Sequence, residues 1–121
     1  MAKHILIIDD EAELVETARM RLEQNGYQVS ASVGEKAVGD VRRLKPDLIL
    51  LDVMMPDVDG FSMIREIKRD PQIRQIPVVI FSGKPKATMM ELFGPEGIVG
   101  YIPKPYDPRE LLGQIKQILG E

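Results

Sequence analysis

The sequence predicts an α/β protein built on a five-stranded parallel sheet with helices on both faces. Short, continuous apolar runs such as Leu48–Leu51 are typical of strands that are covered on both faces. Segments with apolar residues spaced three and four apart lie between these runs and are typical of amphipathic helices. Strand and helix alternate five times, and right-handed crossovers make such strands parallel, so the doubly wound order 2-1-3-4-5 is the expected solution.

Each predicted strand has its own signal. The first is the apolar run His4–Ile8, and the third is Leu48–Leu51; acids follow both. The second, over residues 27–31, alternates apolar and polar side chains, which predicts a strand near the edge of the sheet. The fourth and fifth strands are predicted over residues 76–81 and 98–102.

The predicted helices combine an apolar stripe with turn residues at their ends. Asn25-Gly26, Pro46, Asp70-Pro71 and Gly94-Pro95 are the expected stops of the first four helices, and Asp59 is the expected N-cap of the third. The helices are expected at about residues 11–24, 37–44, 61–67, 86–93 and 111–119.

Length and composition narrow the class of protein. The 121 residues are expected to form one domain, 1–121, with a hydrophobic fraction of 44% and a charged fraction of 29% that are ordinary for a globular protein. The chain has no cysteine, which excludes disulfides and thiolate metal sites, and its net charge of -3 gives no basic surface for nucleic acid. No apolar run approaches a membrane span, and the start of the chain has no signal-peptide pattern, so a cytoplasmic protein without membrane contact is expected.

Polar residues follow four of the predicted strands. Asp9 and Asp10 follow the first strand, Asp52 the third, Ser82 the fourth and Lys104 the fifth. The carboxyl ends of parallel strands share one edge of the sheet, and this edge is where open α/β sheets bind their ligands. We therefore expect these five side chains to lie close together.

Each residue taken alone also has an ordinary structural interpretation. Asp10 with Glu13 fits a capping box for the first helix. Asp52 or Ser82 could serve a turn, and Lys104 could be a surface lysine. These separate interpretations do not explain why all the polar groups fall at strand ends on one edge.

The combination of groups favours phosphoryl chemistry. Three crowded carboxylates repel one another, and a hard cation with oxygen ligands such as Mg2+ relieves that repulsion. An aspartate carboxylate can act as a nucleophile and form an acyl phosphate. Ser82 offers a hydroxyl and Lys104 a mobile ammonium group to a phosphoryl group, so the sequence predicts a phosphoaspartate site at Asp52.

The motifs together resemble the receiver (CheY-like) domain of bacterial two-component response regulators, over residues 3–119. The resemblance is carried by Asp9-Asp10, by Leu51-Asp52-Val53-Met54-Met55-Pro56 with Asp59-Gly60, by Ser82, and by Tyr101-Ile102-Pro103-Lys104-Pro105. It implies the flavodoxin-like strand order given above. It also implies a phosphorylation-dependent signalling module, which catalyses only its own phosphorylation and dephosphorylation.

The resemblance implies a role for each matched residue. Asp52 would be the phosphoacceptor; Asp10, Asp52 and the backbone carbonyl of Met54 would bind Mg2+ directly, and Asp9 mostly through water. Ser82 and Lys104 would bind the phosphoryl group, Tyr101 would be the switch aromatic that turns inward, and the bond before Pro105 would be cis.

The resemblance also implies partners. A sensor histidine kinase or a phosphotransfer protein would donate the phosphoryl group, and the surface of the fourth helix, fifth strand and fifth helix would respond to it. The resemblance does not identify the downstream target or output domain. It allows for a dimer that forms on phosphorylation. Gly94-Pro95 departs from the family pattern and predicts a short or mobile fourth helix.

Three alternatives remain at this point. An aspartyl-phosphate phosphatase or phosphotransferase would need a second acid two residues after the nucleophile, where this chain has Met54. A flavin-binding module would need a glycine-rich phosphate loop after the first strand, where Asp9-Asp10-Glu11 would repel phosphate. A degenerate receiver that acts only in protein binding is the third.

Overall fold

The computed structural model describes residues 2–56 and 58–121. Its five strands form one parallel sheet in the order β2-β1-β3-β4-β5, which confirms the predicted fold class. The strands are β1 (His4–Ile8), β2 (Gln28–Ser32), β3 (Leu48–Leu51), β4 (Val78–Ser82) and β5 (Gly100–Pro103).

Five α-helices connect and cover the strands. They are α1 (Ala12–Gln24), α2 (Ala37–Leu44), α3 (Gly60–Arg69), α4 (Lys86–Phe93) and α5 (Pro108–Leu119). Short 3-10 turns precede α2 at Gly34–Lys36 and follow α4 at Gly94–Glu96. Within the described ranges, no helix is both long enough and apolar enough to cross a bilayer.

The sheet separates two hydrophobic cores. Successive side chains of a strand point to opposite faces, so Ile5 and Ile7 pack with α1 and α5, whereas Leu6 and Ile8 pack with α2, α3 and α4. All four residues of β3 are buried, as expected for the central strand. β2 lies at the edge of the sheet, as predicted, but its burial does not follow the predicted alternation, since Val29 and Ser32 are buried and Ala31 is exposed.

Several element boundaries differ from the sequence prediction. β4 begins at Val78 instead of residue 76, because Pro77 has no N–H to donate to a ladder. β5 begins at Gly100 instead of residue 98, after Gly97 takes a left-handed turn with a φ of 91°. At the other end of these strands, Ser82 is the last residue of β4, and Lys104 directly follows β5.

The N-cap of α3 agrees with the sequence prediction, whereas the N-cap of α1 does not. Asp59 caps α3 as predicted, since its side chain accepts a hydrogen bond from the Phe61 N–H at 3.0 Å. The capping box from Asp10 to Glu13 does not form. Glu11 occupies the N-cap of α1, and its own N–H donates to Asp9 Oδ1 at 2.9 Å.

The fourth helix is short, as Gly94-Pro95 predicts: α4 has eight residues. Its carboxyl end is joined to α3. The rings of Phe61 and Phe93 lie 4.8 Å apart, and Arg65 Nε donates to Glu96 Oε1 at 2.7 Å. The carboxyl end of α4 therefore packs against α3, on the face of the sheet that carries the larger core.

Candidate functional site

An open cleft of about 580 Å³ lies at the carboxyl edge of the sheet, where β1, β3, β4 and β5 end. The strand-end residues singled out in the sequence converge there. The cleft is lined by Asp10, Glu11, Leu14, Asp52, Met54, Ser82, Gly83, Lys84, Lys104 and Pro105. Asp9 lies beneath it and is buried.

Three carboxylates form the floor of the cleft. One oxygen each from Asp9, Asp10 and Asp52 lies within 4.8 Å of the other two. Asp9 and Asp52 are 2% and 4% exposed, whereas Asp10 is open to solvent. Burial raises the pKa of Asp9, and its hydrogen bond to Lys104 offsets that rise only in part.

The two oxygens of Asp52 have different partners. The Asp52 N–H continues the ladder to the Ile8 carbonyl at 2.8 Å, which fixes the backbone beside β1. Asp52 Oδ1 accepts the Met54 N–H at 2.8 Å, and Asp52 Oδ2 lies 3.2 Å from Lys104 Nζ. The carboxylate is thus buried but faces the open cleft with its orientation fixed.

Lys104 is the cation that faces these acids. Its ammonium group lies 2.7 Å from Asp9 Oδ2, 3.0 Å from Glu11 Oε1 and 3.2 Å from Asp52 Oδ2. Burial by itself would lower the pKa of Lys104, but the hydrogen bonds to Asp9 and Glu11 outweigh it and raise the pKa above its usual value. Lys104 therefore stays charged.

Carboxylates outnumber the single ammonium group that contacts them. Asp9, Glu11 and Asp52 contact Lys104, and Asp10 lies beside Asp9 and Asp52, so the cluster keeps a net negative charge. Hard oxygen ligands with excess negative charge and an open side suit a divalent cation such as Mg2+ that keeps some of its waters. The residues present fit this ion.

Ser82 lines the cleft, whereas Tyr101 is bonded to the Ser82 segment without lining the cleft itself. Ser82 is buried, and its Oγ accepts the Lys84 N–H at 3.0 Å. The Tyr101 ring is buried too, and its hydroxyl donates to the Ser82 carbonyl at 3.2 Å and to the Lys84 carbonyl. The tyrosine hydroxyl thereby connects β5 to the end of β4 and to the loop that follows it.

The remaining predicted residues also lie at the cleft. Met54, two residues after Asp52, is 56% exposed and lines the cleft. The Lys104–Pro105 peptide bond is cis, and the Lys104 N–H donates to the Ser82 carbonyl at 2.8 Å. The backbone before Pro105 is thus joined to the end of β4.

The sequence predicted no role at the site for two residues that contribute to it. Glu11 accepts a hydrogen bond from Lys104, and the acidic run Asp9-Asp10-Glu11 was its available signal. Gly60 lies so close to Val53 that an added Cβ would meet Val53 Cβ at 2.7 Å and Val53 O at 2.9 Å. The pair Asp59-Gly60 was visible in the sequence, but the close approach was not.

Comparison with known proteins agrees with this geometry. Residues 5–116 match the response regulator receiver domain family. The phosphate regulon transcriptional regulatory protein PhoB of Escherichia coli (strain K12) is 38% identical over 120 residues, which are 98% of this chain and 52% of PhoB. The chain thus spans about half the length of the curated relatives that it matches.

Solved structures have the same fold. The chemotaxis response regulator CheY4 of Vibrio cholerae superposes with a TM-score of 0.90 at 21% identity, over 98% of this chain and 99% of that one. The receiver domain of a sensor histidine kinase from Pseudomonas aeruginosa PAO1, solved with a magnesium ion in its active-site cleft, gives a TM-score of 0.89 at 25% identity, with both chains fully covered.

The sheet order, the carboxylates at its carboxyl edge and the match over residues 5–116 lead to one conclusion. The chain belongs to the family of response regulator receiver domains of two-component signalling systems.

Proposed function

We propose that residues 1–121 form a single receiver domain in which Asp52 accepts and later releases a phosphoryl group. The observation that carries the proposal is the environment of the Asp52 carboxylate. It is buried at the bottom of an open cleft, with Oδ1 held by the Met54 N–H and Oδ2 facing Lys104 at 3.2 Å. A carboxylate with a fixed orientation, a nearby cation and open space in front is suited to in-line attack on phosphorus.

In this proposal Asp10, Asp52 and the Met54 carbonyl bind Mg2+ directly, and Asp9 contributes mostly through water. The grouping of the three carboxylates within 4.8 Å supports this ligand set. When bound, the ion neutralises charge on the phosphoryl oxygens so that they can approach the acids.

Phosphoryl transfer to Asp52 is a displacement at phosphorus. An oxygen of Asp52 attacks phosphorus, the bond from phosphorus to the donor breaks, and the donor leaves with its electron pair. Lys104 and Ser82 are placed to donate hydrogen bonds to the phosphoryl oxygens, which carry the charge in the transition state. Later attack of water on phosphorus releases inorganic phosphate and restores the carboxylate.

The proposed donor is a phosphohistidine on a sensor histidine kinase or a phosphotransfer protein. A small acyl phosphate would serve as a slow substitute. The domain would catalyse only its own phosphorylation and dephosphorylation. A phosphatase or phosphomutase is not favoured, since Met54 stands where such an enzyme would carry its second acid.

The signal would leave through Ser82 and Tyr101. The Tyr101 hydroxyl bonds to carbonyls on both sides of Gly83, so movement of Ser82 toward a phosphoryl group must disturb it. The surface formed by α4, β5 and α5 would then change, with dimerisation as one readout. With a net charge of -3, any action on DNA would need another domain or partner.

Acetyl phosphate labelling tests the proposal. With Mg2+ present, intact mass spectrometry should show wild-type protein gaining one phosphoryl group and Asp52→Asn gaining none. Asp59→Asn is the matched control, because Asp59 is a nearby acid that caps α3 outside the cleft. Equal labelling of wild type and Asp52→Asn would refute the assignment, and no labelling of wild type would indicate a receiver used only for protein binding.

A further inference from the structure

Among the described residues, Glu11 is the acid in contact with Lys104 that the proposed chemistry does not use. The ammonium group of Lys104 contacts Glu11 at 3.0 Å, about as closely as it contacts Asp9 and Asp52. The three acids differ in exposure: the side chains of Asp9 and Asp52 are 0% and 6% exposed, and that of Glu11 is 59% exposed. Glu11 therefore holds the ammonium group from the solvent side.

The backbone of Glu11 is fixed beside the proposed metal ligands. Its N–H donates to Asp9 Oδ1 at 2.9 Å, and its carbonyl accepts the Val15 N–H at 3.0 Å at the start of α1. The flexible Glu11 side chain therefore extends from a point joined directly to Asp9.

Lys104 competes with a divalent cation for the same oxygens. Its ammonium group occupies one oxygen of Asp9 and one of Asp52, both members of the carboxylate group that fits Mg2+. A cation bound there repels the ammonium group. The backbone of Lys104 stays beside the cleft, since its N–H is bonded to the Ser82 carbonyl, so its mobile ammonium group needs another partner close by.

We infer that Glu11 is a positioning residue that holds the Lys104 ammonium group when a divalent cation binds Asp9, Asp10 and Asp52. Glu11 thereby raises the affinity for the cation and keeps Lys104 at the mouth of the cleft, where a phosphoryl group enters. This inference rests on the proposed function. It makes Glu11 the ion-pair partner of Lys104 in the metal-bound state.

A Mg2+ titration of Glu11→Gln tests the inference, with amide chemical shifts at the cleft as the readout. The substitution keeps the shape of the side chain and the backbone bonds of Glu11. Glu11→Gln should weaken Mg2+ binding about two- to fivefold more than its control, the range of a partly exposed ion pair. The control is Glu13→Gln, which removes the same charge from the exposed first turn of α1, away from Lys104.

Repeating the substitutions in the Lys104→Met variant separates a positioning role of Glu11 from a general effect of lost negative charge. Lys104→Met should bind Mg2+ more tightly than wild type, because no ammonium group competes for Asp9 and Asp52. In that background Glu11→Gln should weaken binding no more than Glu13→Gln does. A double-mutant cycle with no coupling between positions 11 and 104 would overturn the inference.

The outcomes also separate this inference from the proposed function. If wild type binds Mg2+ and Glu11→Gln matches Glu13→Gln, the inference about Glu11 fails and the phosphoacceptor assignment stands. If wild type shows no Mg2+ binding at the cleft, both fail. Acetyl phosphate labelling of Asp52 that persists in Glu11→Gln would show that the variant keeps the fold and the acceptor.

Discussion

Gly60 begins α3 in close contact with Val53, the residue that follows Asp52. A Cβ at position 60 would lie 2.7 Å from Val53 Cβ, 2.9 Å from Val53 O and 3.0 Å from Val53 Cα. Two of these atoms belong to the backbone, so the contact cannot be relieved by a side-chain rotation alone. Gly60→Ala must therefore push α3 and the segment after Asp52 apart.

The expected cost follows from two opposing effects. Overpacking a close contact costs about 1–3 kcal/mol, and alanine regains up to about 1 kcal/mol of helix propensity, less in a first turn. Gly60→Ala should therefore lower the free energy of unfolding by about 1–2 kcal/mol. It should also weaken Mg2+ binding, since the displaced segment carries Met54.

Gly113→Ala is the matched control. Gly113 lies inside α5, and an added Cβ would meet nothing within 4 Å. This variant should gain about 0.5–1 kcal/mol, because alanine loses less conformational entropy in a helix than glycine does. Urea unfolding measures both changes. A Gly60→Ala variant as stable as wild type, or one with unchanged Mg2+ affinity, would refute the close contact as a determinant of the site.

Three further predictions concern the cleft. Mg2+ at ten times its dissociation constant should stabilise the protein by about 1.4 kcal/mol in thermal or urea unfolding, and Asp52→Asn should lose most of this gain; equal stabilisation of both would count against the ligand set. Tyr101→Phe should cost about 1 kcal/mol in urea unfolding and speed hydrogen exchange at the Lys84 amide, because the bonds to the Ser82 and Lys84 carbonyls are lost. Burial raises the pKa of the Asp9 carboxyl above its ordinary value of 3.8, so the folded state binds the carboxyl proton more tightly than the unfolded state does. This proton binding contributes fully to stability below pH 3.8, and the contribution is lost as the pH rises through the raised pKa. Mg2+ affinity should fall as the pH drops through the same range, and a flat profile in a Mg2+ titration from pH 4 to 7 would contradict the burial argument.

The sequence alone predicted that the polar residues at the strand ends would lie together. Parallel strands place their carboxyl ends on one edge, so Asp9, Asp52, Ser82 and Lys104 converge for topological reasons. Apolar residues at helical spacing likewise predicted α1, α2, α3 and α5, and Asp59 caps α3 as expected.

Details that depend on side chains reaching across the fold could not be predicted. Lys104 bonds to Glu11 across 93 positions of sequence, and no local pattern encodes that contact. The capping box at Asp10 does not form because α1 begins one residue later, with Glu11 at its N-cap and the Glu11 N–H bonded to Asp9 Oδ1. The close approach of Gly60 to Val53 depends on how α3 packs after the turn.

The most direct test of the account is to locate the phosphoryl group on the chain. Borohydride reduces an aspartyl phosphate to homoserine, so wild-type protein treated with Mg2+ and acetyl phosphate and then reduced can be mapped by peptide mass spectrometry. The account predicts homoserine at position 52 and at no other acid of the cleft. Homoserine at Asp9 or Asp10, 5-hydroxynorvaline (the corresponding reduction product of a glutamyl phosphate) at Glu11, or no reduced residue in phosphorylated protein, would contradict it.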